Sequence, residues 1–331
     1  MEPQPPRAGQ PDSDLSVEAQ MKLPSQCKVA ILMCTYNGQA YLKEQIDSLI
    51  SQTHQNWTLY ISDDGSTDGT LALLETYREL IDSQRIHLFS GPREGFAKNF
   101  MSLVRNENVE GDFFAFSDQD DIWHNDKLER GIRQLQSFPR NQPALYCSRT
   151  RLINENRKVI GFSPKFNRPP LFQNALIQSI AGANTMLLNG AARDLLNRTS
   201  PDIPVVAHDW LAYLLTTACG GKVIYDSEPT LDYRQHGGNV IGSNSSIKER
   251  ILRLGKLIDG RFSRWSDVNL SILEPLEEDL TASNRQTVHD FKKARQSTLL
   301  QRFRLMRSSG IYRQTLMGNI SLILAIYLNK I

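Results

Sequence analysis

FFAFSDQDD, residues 113–121, is the stretch of this 331-residue sequence that decides the fold. Its first four residues are apolar, as in a buried strand, and three of its last four are acidic. Carboxylates this close repel one another unless a positive charge lies between them, and a hard divalent cation suits that place. A solvated acidic turn that caps the next helix is the alternative. The pattern predicts a buried strand that leads into a polar site.

Three further units of strand, polar turn and helix precede this stretch. Their turns are 35–38 (TYNG), 62–69 (SDDGSTDG) and 91–95 (GPREG). Strands that alternate with helices predict a parallel, doubly wound sheet. Right-handed crossovers bring the C-terminal ends of such strands to one edge, where ligands bind. We therefore expect the four turns to form one site.

The bulk properties of the chain indicate an ordinary globular protein. A formal net charge of +2 identifies no partner, and no nucleic-acid partner is expected. The four cysteines show no paired spacing, which argues against a disulfide framework or a thiolate metal site and fits a reducing compartment. The N-terminus lacks a secretory signal pattern, and we predict a disordered lead over 1–26.

An α/β domain is expected over 27–245 and a helical extension over 246–331. The extension carries apolar residues at helical spacing, as in a short bundle. Basic residues without an acid run from Lys292 to Arg313, and an apolar run follows over 320–328. A core helix and a surface helix on an anionic membrane are both open readings of that run.

Six short motifs together resemble inverting family 2 glycosyltransferases of the GT-A fold, particularly their rhamnosyltransferase-like branch. In the family's order they are 34–38 (CTYNG), 63–68 (DDGSTD), 95–99 (GFAKN), 116–123 (FSDQDDIW), 208–210 (HDW) and 233–239 (YRQHGGN). The resemblance implies a Rossmann-like, mostly parallel sheet flanked by helices. It also implies a nucleotide-binding half over 27–137 and an acceptor-binding half over 138–245.

The resemblance carries specific roles onto residues of this chain. Asp209 is the expected general base, and Asp120 and His236 are the expected ligands of Mg²⁺ or Mn²⁺. The residues expected to bind the nucleotide sugar are Thr35, Asn37, Asp63, Asn99, Asp118 and Arg234. Among these, Asp63 is expected to accept a hydrogen bond from a uracil or thymine ring, and Arg234 to contact phosphate.

Several of these residues also have plain structural interpretations. The turn at Asp63 is also typical of a helix cap, and Asn99 of an ordinary helix residue. Asp121 is expected to cap the helix that begins near 125–127. His208 either orients Asp209, binds acceptor or is structural, and a lone histidine such as His236 is more often structural than a ligand.

The implied activity is metal-dependent, inverting transfer of a sugar, rhamnose in preference, from a dTDP- or UDP-sugar. The acceptor is expected to be a hydroxyl of a cell-surface polysaccharide or lipid-linked glycan, reached in the cytoplasm or peripherally at the inner face of the cytoplasmic membrane. One alternative is a sugar-nucleotide nucleotidyltransferase, although the turn TYNG lacks the glycine- and lysine-rich phosphate loop of such enzymes. Another is a non-catalytic glycan- or nucleotide-binding module, against which the intact Asp118, Asp120 and Asp209 argue.

Overall fold

Strands and helices alternate along the chain, and the resulting fold is mixed α/β. The structure, a computed structural model, describes residues 22–237 and 260–331. The strands in these ranges are β1 Val29–Thr35, β2 Trp57–Asp63, β3 Ile86–Ser90, β4 Phe113–Ser117, β5 Ile122–Trp123, β6 Ala144–Ser148, β7 Arg151–Asn154, β8 Val159–Phe162, β9 Leu187–Asn189, β10 Lys222–Asp226 and β11 Leu231–Gln235. The α-helices are α1 Gln39–Ile50, α2 Thr70–Ile81, α3 Phe96–Arg105, α4 Lys127–Leu135, α5 Phe172–Ala175, α6 Gly190–Asn197, α7 His208–Ala218, α8 Arg261–Leu273, α9 Ala282–Arg295, α10 Leu299–Ser308 and α11 Leu316–Tyr327.

The larger sheet has the strand order β10-β6-β9-β4-β1-β2-β3 within the described residues. The β1–β2, β2–β3, β1–β4 and β6–β10 pairs are parallel, whereas β9 runs antiparallel to β4 and β6. Side chains of β1 alternate between two cores: Ala30 and Leu32 lie in one, and Ile31 and Met33 in the other. The predicted mostly parallel sheet between layers of helices is confirmed.

The C-terminal ends of β1, β2 and β4 meet at one edge of this sheet. Thr35 stands in register with Asp63, and Asp63 with Ser90. β4 ends at Ser117, which is in register with Met33. The acidic turn that follows β4 therefore begins beside the turns of β1 and β2, as the sequence predicts.

A smaller sheet, β5-β11-β7-β8, was not expected from the sequence. Its β11 pairs antiparallel with β5, with Leu231 opposite Trp123 and Asp232 opposite Ile122. This pairing joins the residues that follow β4 to residues more than a hundred positions later in the chain. It therefore brings the loop after β11 to the acidic turn.

The C-terminal helices pack against α7 and share its core. Asn284 Nδ2 donates to the carbonyls of Thr217 and Ala218, at 2.9 and 2.8 Å, which fixes α9 to the end of α7. Leu322 and Ala325 of α11 belong to the same apolar core as α7. The core interpretation of the terminal apolar run therefore holds for the inner side of α11.

The expected chain divisions fall partly outside the described residues. The boundary at 245–246 lies there, as do the apolar positions Ile247, Ile251, Leu254 and Ile258 of the expected extension. Residues 22–26 of the expected disordered lead need a correction. They contact the domain, since Pro24–Gln26 form a 3-10 turn and Lys22 Nζ lies 2.8 Å from Asp112 Oδ1.

Candidate active site

The turn after β4 carries three carboxylates at the sheet edge, those of Asp118, Asp120 and Asp121. Asp120 Oδ2 lies 2.8 Å from His236 Nε2. Asp118 lies beside Asp120 and feels the charge of Asp209 as well. Burial, and then the charges of Asp120 and Asp209, raise the pKa of Asp118 to about 7. The charges of Asp120 and Asp209 therefore both act on the carboxyl of Asp118.

Asp121 does not cap the following helix, and that prediction is wrong. Its side chain is fully buried; Asn184 Nδ2 donates to it at 2.5 Å and the backbone N–H of Arg234 donates at 3.3 Å. Burial, and then the charges of Asp120 and Asp118, hold the pKa of Asp121 well above its usual range. Asp126 occupies the N-cap position of α4 instead. Asp121 thus ties the acidic turn to β11 from inside the protein.

Arg234 needs a correction from phosphate ligand to positioning residue. Its side chain is only 1% exposed. Nε donates to the carbonyl of Asp120 at 3.0 Å, Nη1 donates to the carbonyl of Glu155 at 3.2 Å, and Nη2 pairs with the Glu44 carboxylate. A guanidinium committed in this way fixes the backbone of Asp120 and has little surface for a diphosphate.

Glu44 in α1 is a residue that the sequence reasoning missed. It pairs with the buried Arg234 and also with Arg157, whose side chain is 61% exposed. Burial raises the pKa of Glu44, but the hydrogen bonds from Arg157 and Arg234 outweigh it and hold that pKa below its usual range. An acid in the second turn of a helix gives no signal in the sequence, because its partners, Arg234 in β11 and Arg157 between β7 and β8, are distant in the chain.

Thr35 and Asp63 lie at the C-terminal ends of β1 and β2 and are hydrogen-bonded to each other. Thr35 Oγ1 donates to Asp63 Oδ2 at 2.7 Å, and Ser66 Oγ donates to the same oxygen at 2.6 Å. The backbone N–H groups of Gly65 and Ser66 donate to Oδ1 at 3.1 and 2.8 Å. Burial opposes ionisation of Asp63, but these hydrogen bonds, led by those of Ser66, hold its pKa below the usual range. The four acceptor positions of Asp63 are thus occupied by donors from its own turn and from Thr35.

Asn37 and Asn99 each form a hydrogen bond to the segment 62–69. Asn37 adopts φ of 48°, and its Oδ1 accepts from the backbone N–H of Thr67 at 2.8 Å. Asn99 is 1% exposed, and its Nδ2 donates to the carbonyl of Ser62 at 2.9 Å. Its Oδ1 is buried and has no hydrogen-bond partner among the described residues. Asn99 therefore links α3 to the end of β2 from behind the site edge.

Gln119 and Tyr36, also missed, join the acidic turn to the first turn. The backbone N–H of Tyr36 donates to Gln119 Oε1, and Gln119 Nε2 donates to the carbonyl of Tyr36, both at 3.0 Å. A Cβ on Gly38 would lie 2.1 Å from Gln119 Oε1, so a larger residue there would displace the end of the Gln119 side chain. The ring of Tyr36 is left 59% exposed at the mouth of the cleft. The sequence feature that could have indicated this pair of hydrogen bonds is the amide residue Gln119 between two aspartates.

Asp209 lies in the first turn of α7, where the helix N-terminus favours a carboxylate. Ser179 Oγ donates to Asp209 Oδ2 at 3.2 Å. No sequence pattern predicts this contact. Burial raises the pKa of Asp209 to about 6, against the opposing effect of hydrogen bonds from its own turn and from Ser179. A carboxylate with that pKa is a competent base near neutral pH.

His208 is buried in a box of aromatic rings. Its ring stacks on Phe100 with centroids 4.0 Å apart, and Phe96 and Phe116 meet it edge-on. Burial lowers the pKa of His208 to about 3, so the ring is neutral. Both of its nitrogens are buried without a hydrogen-bond partner in the part of the chain that the structure describes. This geometry favours the structural interpretation over a hydrogen bond that orients Asp209.

Asp120 and His236 are the residues that fit a divalent cation. They present a carboxylate oxygen and an imidazole nitrogen in contact, beside the carboxyl of Asp118. No group of three or more His, Cys, Asp or Glu side chains is arranged for metal binding within residues 22–237 and 260–331. Mg²⁺ is commonly held by one or two protein carboxylates together with phosphate oxygens of the substrate, and the Asp120–His236 pair suits that mode.

Comparisons with known proteins agree with this geometry. The family model "Glycosyl transferase family 2" matches residues 30–193. The dTDP-rhamnosyl transferase RfbG of Shigella flexneri is 31% identical over 232 residues, 67% of this chain and 78% of that protein. An uncharacterized glycosyltransferase of Nostoc sp. is 26% identical over 222 residues, 64% of this chain and 66% of that protein. The S. aureus TarS 1–349 structure in complex with UDP-GlcNAc shares the fold, with a TM-score of 0.53 and 14% identity over 91% of this chain and 90% of that one.

Proposed function

The chain belongs to glycosyl transferase family 2, and on that premise we propose that it is an inverting, metal-dependent enzyme with Asp209 as its general base. Membership makes it a glycosyltransferase and sets aside the nucleotidyltransferase and the non-catalytic binding module. The donor we propose is a dTDP- or UDP-sugar, with rhamnose preferred. That preference rests on the 31% identity to a protein named dTDP-rhamnosyl transferase.

The position and pKa of Asp209 are the observation that carries the proposal. Inverting transfer is a single displacement, so one base must take the acceptor proton during attack. Asp209 would take the proton of the acceptor hydroxyl as that oxygen bonds to the anomeric carbon of the donor. The bond from this carbon to the diphosphate oxygen breaks, and its electron pair leaves with the nucleoside diphosphate. A pKa of about 6 leaves Asp209 ionised yet basic at neutral pH.

We assign Asp120 and His236 to the cation and Asp118 to the donor sugar side. When bound, Mg²⁺ or Mn²⁺ would neutralise charge on the departing diphosphate. The protein must hold Asp120 in place, and Arg234 contributes by donating a hydrogen bond to the Asp120 carbonyl. The cluster of acidic charge that raises the pKa of Asp118 favours a ligand that brings a cation with it.

We assign the nucleotide to the turns at Thr35, Asn37 and Asp63, within a nucleotide-binding half over 27–137. Because the carboxylate of Asp63 is fully engaged by its own turn and by Thr35, its proposed role is to shape that turn rather than to contact the base. The exposed ring of Tyr36 offers a flat surface for a nucleobase. Asn99 supports the same edge from behind.

The acceptor that we propose is a hydroxyl of a cell-surface polysaccharide or lipid-linked glycan, bound by the half over 138–245. A lipid-linked acceptor would be met in the cytoplasm, from a peripheral position at the inner face of the cytoplasmic membrane. Two observations support this: one relative is named dTDP-rhamnosyl transferase, and the C-terminal segment is basic.

Calorimetric titration of UDP and dTDP, with and without Mn²⁺, tests the donor site. We expect tight binding of one nucleotide that requires both the metal and Asp120, so that Asp120→Ala abolishes it. Asp209→Asn is the matched control, since it should bind the nucleotide like the wild type and lose only sugar transfer. Binding of neither nucleotide in any metal condition would overturn the donor assignment. Full transfer activity in Asp209→Asn would overturn the base.

A further inference from the structure

Helix α11 is apolar on both of its sides, but only one side is covered by the residues that the structure describes. Leu322, Ala325 and Ile326 face the core and are at most 5% exposed. Leu316, Ile320, Ile323 and Tyr327 are between 50 and 78% exposed, and their spacing of four, three and four residues places them on one face. An uncovered apolar stripe along a whole helix indicates a binding surface.

The stripe continues onto the start of α10. Arg302 Nη1 donates to the carbonyl of Ile326 at 2.8 Å, so the first turn of α10 lies beside the last turn of α11. Leu299 and Leu300, in that first turn, are 41 and 65% exposed. We define the docking face as Leu299, Leu300, Leu316, Ile320, Ile323 and Tyr327.

The charge around the docking face has one sign. Residues 291–331 contain eight basic residues and no Asp or Glu. Arg302 and Arg295 are committed inward, to backbone carbonyls and to Asp267. Arg304 and Arg307 are exposed, and they follow Leu300 at a spacing of four and three residues on the outer side of α10. The docking face is therefore an apolar strip with a basic border.

We propose that the docking face binds the surface of an anionic phospholipid bilayer. Amphipathic helices with apolar residues on one face and Lys or Arg at the border lie in the membrane interface in this way. No helix in the described ranges is long and apolar enough to cross a bilayer, and α11 spans only about 18 Å. A second copy of this chain is a poorer occupant, because a two-fold interface would bring two basic borders together.

In biological terms this surface rests on the proposed function, since a lipid-linked acceptor is met at a membrane. The test needs neither donor nor acceptor, so its failure and the failure of the transfer reaction are distinguishable. The full chain is sedimented with vesicles of phosphatidylcholine, alone or mixed with phosphatidylglycerol, at low and at high salt. We expect binding to the anionic vesicles that weakens as salt rises.

Two double variants locate the contact. Ile320→Glu with Ile323→Glu charges the strip, and Arg304→Glu with Arg307→Glu reverses the border; each should weaken binding by about tenfold or more. The matched control is Leu80→Glu in α2, an equally exposed leucine at 73%, which should bind like the wild type. Thermal melts confirm that each variant folds. No binding to anionic vesicles at low salt, or unchanged binding in both double variants, would overturn the proposal. So would self-association in solution that the strip variant alone dissolves, since the occupant would then be a second copy.

Discussion

Arg234→Met is the substitution that best tests the reassignment of Arg234 from ligand to positioning residue. The buried guanidinium donates to the carbonyls of Asp120 and Glu155 and pairs with Glu44. Three hydrogen bonds from a charged donor are lost, one of them the ion pair with Glu44, and each is worth roughly 1.5 kcal/mol. We therefore expect the free energy of unfolding to fall by about 3–5 kcal/mol, which lowers Tm by roughly 6–10 °C.

Arg157→Met is the matched control, because Arg157 pairs with the same Glu44 from the surface. Its side chain is 61% exposed, so the expected loss is about 1 kcal/mol or less. Thermal unfolding is followed by circular dichroism, and nucleotide affinity is measured on both folded variants. Equal melting temperatures, or a wild-type Tm with lost nucleotide binding in Arg234→Met, would refute the reasoning and return Arg234 to the phosphate role.

The pH dependence of this pair gives a second readout. The folded pKa of Glu44 is depressed, so its contribution to stability is present above the unfolded pKa and is lost as pH falls through the folded one. The Tm difference between wild type and Arg234→Met should therefore be full at neutral pH and shrink below about pH 4. A difference that stays constant into acid would mean that the carboxylate is not the partner that matters.

Three shorter predictions follow from the site. The kcat/KM of the wild type should rise with pH through about 6, since Asp209 must be ionised, and Asp209→Asn should lose that rise and about 10³-fold in kcat. The raised pKa of Asp209 also contributes stability that is lost as pH rises through about 6. Thermal melts of Asp209→Asn should not show that loss. Gly38→Ala should displace the Gln119 amide and cost about 1–3 kcal/mol, with weaker nucleotide binding by calorimetry. His208→Phe should keep the wild-type Tm to within about 2 °C, because it removes only buried nitrogens that lack a partner among the described residues. A large loss of kcat at an unchanged Tm would contradict a purely structural role.

The parts of the site that could be predicted from sequence are those encoded locally. An apolar strand, a polar turn and a periodic helix lie within about 25 residues, so Thr35 and Asp63 come to the sheet edge as expected. Asp121 and Arg234 were misassigned because their burial depends on the pairing of β5 with β11. Locally, an acid before a helix is typical of a cap and an arginine after a strand is typical of a phosphate ligand.

The last helix shows a different limit of sequence reasoning. Residues on both sides of α11 are apolar, as Leu322 and Ile323 illustrate, so periodicity cannot tell the covered side from the exposed one. Only the position of α7 and of the neighbouring helices decides which residues are buried. The core interpretation of the terminal apolar run thus concerns the covered side of α11, and the membrane-surface interpretation concerns its exposed side.

The pKa of Asp209, the proposed base, depends on whether the neighbouring His208 is neutral. A protonated His208 next to Asp209 would lower the pKa of that carboxylate and weaken it as a base. Phe100 and Phe116 exclude this by burying the imidazole, whose pKa falls to about 3, while burial of Asp209 itself raises its pKa to about 6. Phe116 comes from the same strand that delivers Asp118 to the cleft. The apolar half of the sequence FFAFSDQDD therefore contributes to the proposed chemistry, since it keeps positive charge away from Asp209, while the acidic half carries the carboxylate proposed to bind a cation.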